Sequence, residues 1–279
     1  MRRQRGFSLV ELVVVIVLIG VIGGIVAMQL GPTIQGYVDV GRRAGLTDVA
    51  DTALRRIVTD VRAAVPNSLR LHHARCLELV PTIDGGRYRT GPDVSGNRSG
   101  DAFLDYDTAA TQFDVLTPFN RRPAQNDLVV IGNQNPEDVY SRINVSTITQ
   151  PVVDPPQAWM GTARISVTPT SVPLGYDGDR FVVVAAAEQA VSYVCTPDGP
   201  GQPTTYTLSR VVRPLTAALG CPSAAGAPVL ARGATRCDFV LNPNQGATQQ
   251  SGFIQLHLTL TAGNESVPLT LGAHVSNVP

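Results

Sequence analysis

Few residues in this chain are of types that carry chemistry, and most of them stand alone. There are four histidines, His72, His73, His257 and His274, and four cysteines, Cys76, Cys195, Cys221 and Cys237. The run His72-His73-Ala-Arg-Cys76 offers imidazole and thiol ligands to a metal. Adjacent residues of an extended chain point to opposite faces, however, so the two histidines do not readily ligate together. His257 falls in an alternating segment and is expected on a solvated face. No cysteine pair has the close spacing of a zinc site. An even cysteine count in an exported chain points instead to disulfides, with three possible connectivities. The expected pairing is Cys221–Cys237 as a local staple and Cys76–Cys195 as a long-range one.

Paired carboxylates occur at Asp105-Tyr-Asp107 and Asp177-Gly-Asp179. Neither has the spacing of a calcium loop, and a turn entering a strand at Phe181 accounts for the second. Gly199-Pro-Gly201 lacks the lysine and helix of a phosphate cradle. No nucleophile elbow or other catalytic motif is found. The expectation is a protein that is not an enzyme, with no catalytic residue, no metal ligand and no cofactor.

Glu11 is the acid in the most unusual setting. From Phe7 to Leu30 only Ser8, Glu11 and Gln29 are clearly polar. As a helix this run spans roughly 36 Å, enough to cross a hydrocarbon core of about 30 Å. Arg2, Arg3 and Arg5 precede it and should stay on the cytoplasmic side, leaving the rest of the chain outside. A cleaved secretory signal, a plain signal anchor and a buried soluble helix are competing readings. No A-x-A site follows the run, and Met28-Gln-Leu-Gly-Pro32 is a poor substitute. A carboxylate at the centre of a spanning helix costs about 2.5–3.5 kcal/mol, and less near its end. A plain anchor gains nothing from that cost. If cleavage after Gly6 frees an amine at Phe7, Glu11 of one subunit and the amine of its neighbour are complementary inside a helical bundle. Either charge without the other would be unpaired in a low dielectric.

The leader Arg-Gly6-Phe7-Ser-Leu-Val-Glu11-Leu-Val-Val-Val-Ile-Val-Leu-Ile-Gly20 resembles the class III signal of type IV prepilins and type II secretion pseudopilins. That resemblance implies processing between Gly6 and Phe7 by prepilin peptidase, N-methylation of Phe7, and a docking role for Glu11. It also implies other major and minor pilins, an inner-membrane assembly platform and membrane lipid as partners. Three later stretches resemble the larger minor pilins and pseudopilins. They are Arg55-Arg-Ile-Val-Thr-Asp60-Val-Arg62 with Ala64-Val-Pro-Asn-Ser68, then Val191-Ser-Tyr-Val-Cys195 with Tyr206-Thr-Leu-Ser-Arg210, then His274-Val-Ser-Asn-Val-Pro279. They look most like the MSHA (MshO-type) minor pilins, with the PilW-type minor pilins and J-type pseudopilins next. The implied place is the inner membrane, single-pass, with the head in the periplasm and incorporation into a surface pilus.

The elements that must hold these residues follow from periodicity. Gly20 and Gly24 have the GxxxG spacing that lets membrane helices approach closely, although glycine is also simply tolerated there. Pro32 should break or kink the helix near Gly31. Between residues 33 and 64, Ile34, Tyr37, Val38, Gly41, Val49, Ala53, Leu54, Ile57, Val58 and Val61 recur at three- and four-residue steps, with charges between them. This predicts an amphipathic helix ended by Pro66-Asn67. Beyond it, short apolar runs alternate with turns. Phe253–Thr261 and Ser266–Val275 alternate clearly, and Ala262-Gly-Asn-Glu265 should join them as a hairpin. Residues 84–101 and 196–204 read as loops.

The fold class expected is α+β: a long pilin-type helix packed on a β-rich head. The divisions are 1–6 leader, 7–30 transmembrane helix, 31–65 amphipathic helix and 66–279 extracytoplasmic head. At 279 residues the chain can bury a sizeable core. All 22 basic residues are arginine, balanced by 22 acids, so no global field recruits nucleic acid. Three function classes stand: a minor pilin that initiates or caps a fibre, a type II secretion pseudopilin, and a membrane-tethered enzyme or binding protein.

Overall fold

The computed structural model describes residues 8–94, 99–199, 204–245 and 251–276. One helix, α1 (Leu9–Arg62), makes up its N-terminal part. Ser8 caps it from an extended backbone, its hydroxyl accepting from the Glu11 N–H at 3.3 Å. Ser8 and Glu11 thus have the S-x-x-E spacing of a capping box. The helix is not broken at Pro32 and continues to Arg62. Proline removes a single donor, whereas leaving helical geometry strands several backbone groups. At the far end the Ala63 N–H donates to Thr59 O, before Pro66. Asn67 then turns the chain with φ +60, and two side-chain amides tie the turn down. Asn67 Nδ2 donates to Asn133 O, and Asn133 Nδ2 to Pro66 O.

Among the described residues, thirteen strands follow α1. The first two, β1 (Arg70–His73) and β2 (Cys76–Leu79), form a hairpin. An insertion comes next, with β3 (Asp84–Arg87), β4 (Ala110–Val115), β5 (Leu128–Ile131), β6 (Val145–Thr147), β7 (Ala163–Thr170) and β8 (Arg180–Val184). The chain then returns to the first hairpin through β9 (Ala190–Pro197), β10 (Tyr206–Arg213), β11 (Val229–Gln245), β12 (Ser251–Ala262) and β13 (Glu265–Ser276). The main sheet is antiparallel, in the order β1-β2-β9-β10-β11-β12-β13. The insertion forms a four-stranded sheet, β3-β8-β5-β6, and the pair β4-β7.

Alternation explains how the main sheet meets α1. Val267, Ala273 and Val275 of β13 are buried, whereas Ser266, Pro268, Thr270 and His274 between them are exposed. The expected hairpin joins β12 to β13, with Ala262 opposite Glu265. Strand β9 is buried on both faces. Val191, Tyr193 and Cys195 meet the helix side, while Ala190 joins a second core that ties β5 and β8 to the main sheet. A third core fills the insertion, where Phe113 and Phe181 meet edge to face.

Two expectations are corrected here. Part of the 84–101 stretch is a strand, β3, despite its glycines. A side chain at Gly85 would meet Phe181 O at 2.7 Å, and one at Gly86 would collide with Thr117 Oγ1. Glycine serves close approach there, not a loop. The apolar face of α1 is also not buried along its length. Ala50, Ala53, Leu54, Ile57 and Val61 lie under the sheet, but Ile34, Tyr37, Val38 and Val49 are exposed. The sheet covers only the last turns of α1.

Candidate functional site

Two places on α1 hold the residues of interest. The first is its apolar N-terminal end. Leu9–Met28, 20 residues, is long and apolar enough to cross a membrane, and none of it is covered by the head. Glu11 lies in the first turn, exposed, with no ion pair to another described residue. Nothing stands within 4 Å of a side chain built at Gly20 or Gly24. Gly6, Phe7 and the three leading arginines lie outside the described residues.

At the other end of the helix the head is locked on. Asp60 is buried and receives the Tyr193 hydroxyl at 2.5 Å. Arg210 donates to it through Nε at 3.0 Å and Nη2 at 2.9 Å. Arg56 lies 3.4 Å from its other oxygen, and Arg210 also donates to Glu188. Burial and the Asp60 carboxylate push the Tyr193 hydroxyl well above its ordinary range. Burial opposes the charge of Arg210, but hydrogen bonds with Glu188, Tyr193 and Asp60 outweigh it and hold the guanidinium protonated. One helix residue is thereby fixed to β9 and β10 by charge-assisted hydrogen bonds, the stronger kind.

A comparable cluster underlies β1. Glu78, fully buried, accepts from Arg70, Arg213 and His72. Burial alone would raise its pKa, but the hydrogen bonds from Arg213, Arg70 and His72 win and lower it. The Gly220 N–H donates to His72 Nδ1, so Nε2 carries the proton that reaches Glu78. Arg70 lies over the Tyr140 ring at 3.5 Å, and the buried Tyr140 hydroxyl donates to Ser68 O. Sequence reasoning missed this cluster and the Asp60 lock. Each joins residues more than 130 positions apart, which no local pattern announces. The Ser8 cap was also missed, although the S-x-x-E spacing signalled it.

All four cysteines are in disulfides, but the expected pairing is wrong. The bridges are Cys76–Cys221 and Cys195–Cys237. Cys76 stands opposite Val194 across β2 and β9, so Cys195, one residue on, points to the other face. There Cys195 joins the helix-side core with Cys237 of β11. Cys221 sits outside, on the strap of residues 214–228 that crosses the sheet.

Other candidates disperse. His72 is buried against Glu78, while His73 is exposed and lies near Cys76 and Cys221. His257 holds Thr270 Oγ1 at 3.0 Å on the outer face of β12, and His274 lies against Phe253. The Asp105 carboxylate is taken up by the N–H groups of Asp107 and Thr108, as in an Asx turn.

Comparison with known proteins bears on the first place alone. Residues 1–27 match the prokaryotic N-terminal methylation motif. No curated protein and no solved structure matches the chain. The N-terminus is therefore type IV prepilin-like, an apolar helix of single-pass length that precedes a β-rich head.

Proposed function

We propose that this protein is a minor pilin that helps initiate or cap a type IV pilus-like fibre. The observation that carries the proposal is Glu11. It lies on an exposed helix of spanning length, inside a methylation motif, with no ion pair to another described residue. A carboxylate so placed gains from a cationic partner on a neighbouring chain, and the N-methylated amine of Phe7 is that partner. The Leu9–Met28 helices bundle in the membrane, and the heads pack outside it. The work is non-covalent and needs no cofactor.

The head supports a low-copy position, since an insertion of about a hundred residues between β2 and β9 adds bulk that fits poorly into a crowded fibre. The MSHA type is the nearest resemblance of Arg55–Arg62 with Ala64–Ser68, Val191–Cys195 with Tyr206–Arg210, and His274–Pro279, and a secretion pseudopilin is the alternative. Partners under this reading are the major and minor pilins, prepilin peptidase and the inner-membrane platform.

N-terminal mass spectrometry of the membrane-extracted protein is the test. A methylated Phe7 start supports the proposal. An intact Met1, or a start beyond Leu30, contradicts it. Recovery in sheared surface fibres separates a pilus subunit from a pseudopilin. Function retained by a Glu11→Ala protein would indicate a tethered enzyme or binding protein.

A further inference from the structure

We propose that Cys76 and Cys221, in their dithiol form, combine with His73 into a site for a thiophilic d10 cation such as Zn2+ or Cu+. The ligand atoms of these three residues lie within 4.8 Å of one another. Around a single zinc, sulfur at about 2.3 Å and nitrogen at about 2.0 Å stand roughly 3.5–4 Å apart. Little movement is therefore needed once the bridge is open. Cys76 is fixed in β2, but Cys221 is half-buried on the 214–228 strap, where it has room to move. His73 stands at the end of β1, where the Arg75 N–H donates to its Nδ1 at 3.1 Å; that hydrogen bond is given up when the imidazole lone pair turns to the cation.

The surroundings fit a three-ligand site with an open fourth position. A cleft of about 490 Å³ lined by His73, Arg75, Thr196, Tyr206 and Cys221 opens beside the bridge. It admits water or an external ligand to the cation. The Arg75 guanidinium, seated 4.4 Å over the Tyr206 ring, lines the same cleft as Cys221. Two thiolates and a neutral imidazole are soft donors, which select zinc or Cu+ over calcium or magnesium.

The chemistry balances with a dithiol as reductant. It delivers two electrons and two protons to the Cys76–Cys221 bond and becomes a disulfide itself. The cation then displaces both thiol protons and takes one imidazole lone pair. Cys76, Cys195 and Cys237 are 0%, 4% and 2% exposed, whereas Cys221 is half-buried, so a soluble dithiol attacks the Cys76–Cys221 bridge at the Cys221 sulfur. The oxidised bridge seen here and the metal-bound dithiol are alternative states of one site.

Co2+ is the probe, added to full-length protein in detergent after dithiothreitol treatment and removal of the reductant. The expected result is one equivalent bound, with thiolate-to-cobalt charge transfer and the intense visible bands of a tetrahedral site. An outer-shell partner alone is worth about 10–100-fold in metal affinity, so His73→Ala should weaken binding at least about tenfold. Cys221→Ser should remove most of the charge-transfer band. If reduction loosens the head, Co2+ should restore the melting temperature of the native sequence but not of His73→Ala. Failure of reduced protein to bind, equal binding by the oxidised form, or unchanged affinity in His73→Ala would each overturn the proposal.

Discussion

The two ends of α1 carry the same chemical group in opposite circumstances. Near the start, Glu11 projects from an exposed apolar helix and has no ion pair to another described residue. Near the end, Asp60 is buried and held by Tyr193 and Arg210, with Arg56 beside it. A carboxylate whose partners lie in the same chain serves folding. One placed in an apolar segment without such partners serves something outside the chain. Separating the two roles by mutation is thus the way to test the comparison.

Asp60→Ala should have the largest effect on stability. It strips the partner from Arg210 and Tyr193 at once, and removing one member of a buried pair costs about 3–5 kcal/mol. Thermal unfolding of the detergent-solubilised chain, followed by circular dichroism, measures it. Leu54→Ala, in the same interface and 1% exposed, should cost about 2–5 kcal/mol through the cavity it leaves. An unaltered melting temperature in either variant would mean that the helix end is not locked to the sheet.

Tyr193→Phe is a finer cut. It removes a single hydroxyl bonded to a charged group, worth about 1.5–3 kcal/mol. The same group sets an alkaline limit. Its pKa is raised in the folded protein, so the stability it contributes is complete below the unfolded value of about 10 and declines as pH rises above it. Glu78 sets an acid limit with the opposite sign. Its folded pKa is lowered, so its contribution is present above about pH 4.3 and is lost as pH falls through the folded value. Melting temperature should therefore fall at both ends of a pH series, and Tyr193→Phe should lessen the alkaline fall without abolishing it, because burial also raises Tyr88, Tyr140 and Tyr176. At the small end of the scale, Arg55→Ala breaks the exposed pair with Asp51, at 2.6 Å, and should leave the melting temperature unchanged.

What was legible in the sequence follows the same division. The spanning segment, the hairpin at Ala262–Glu265 and the α+β class all follow from local patterns, because apolar length and alternation are local properties. The lock at Asp60 and the pairing of the cysteines depend on which strands become neighbours. Cys76 and Cys195 sit on adjacent strands, as the expected long-range bridge required, but face opposite sides. Only the register reveals that. Burial of the apolar face of α1 was also unreadable, since Ile34 and Tyr37 repeat with the same period as Leu54 and Ile57 and differ only in whether the sheet reaches them.

Glu11→Gln tests the central claim most directly. It keeps the shape of the side chain and removes its charge. Two quantities should be measured on the same protein: the melting temperature of the head, and the amount recovered in sheared fibres by immunoblot. The account predicts an unchanged melting temperature with recovery reduced at least about a hundredfold, the equivalent of losing a buried ion pair between subunits. Native recovery of Glu11→Gln in fibres would contradict it.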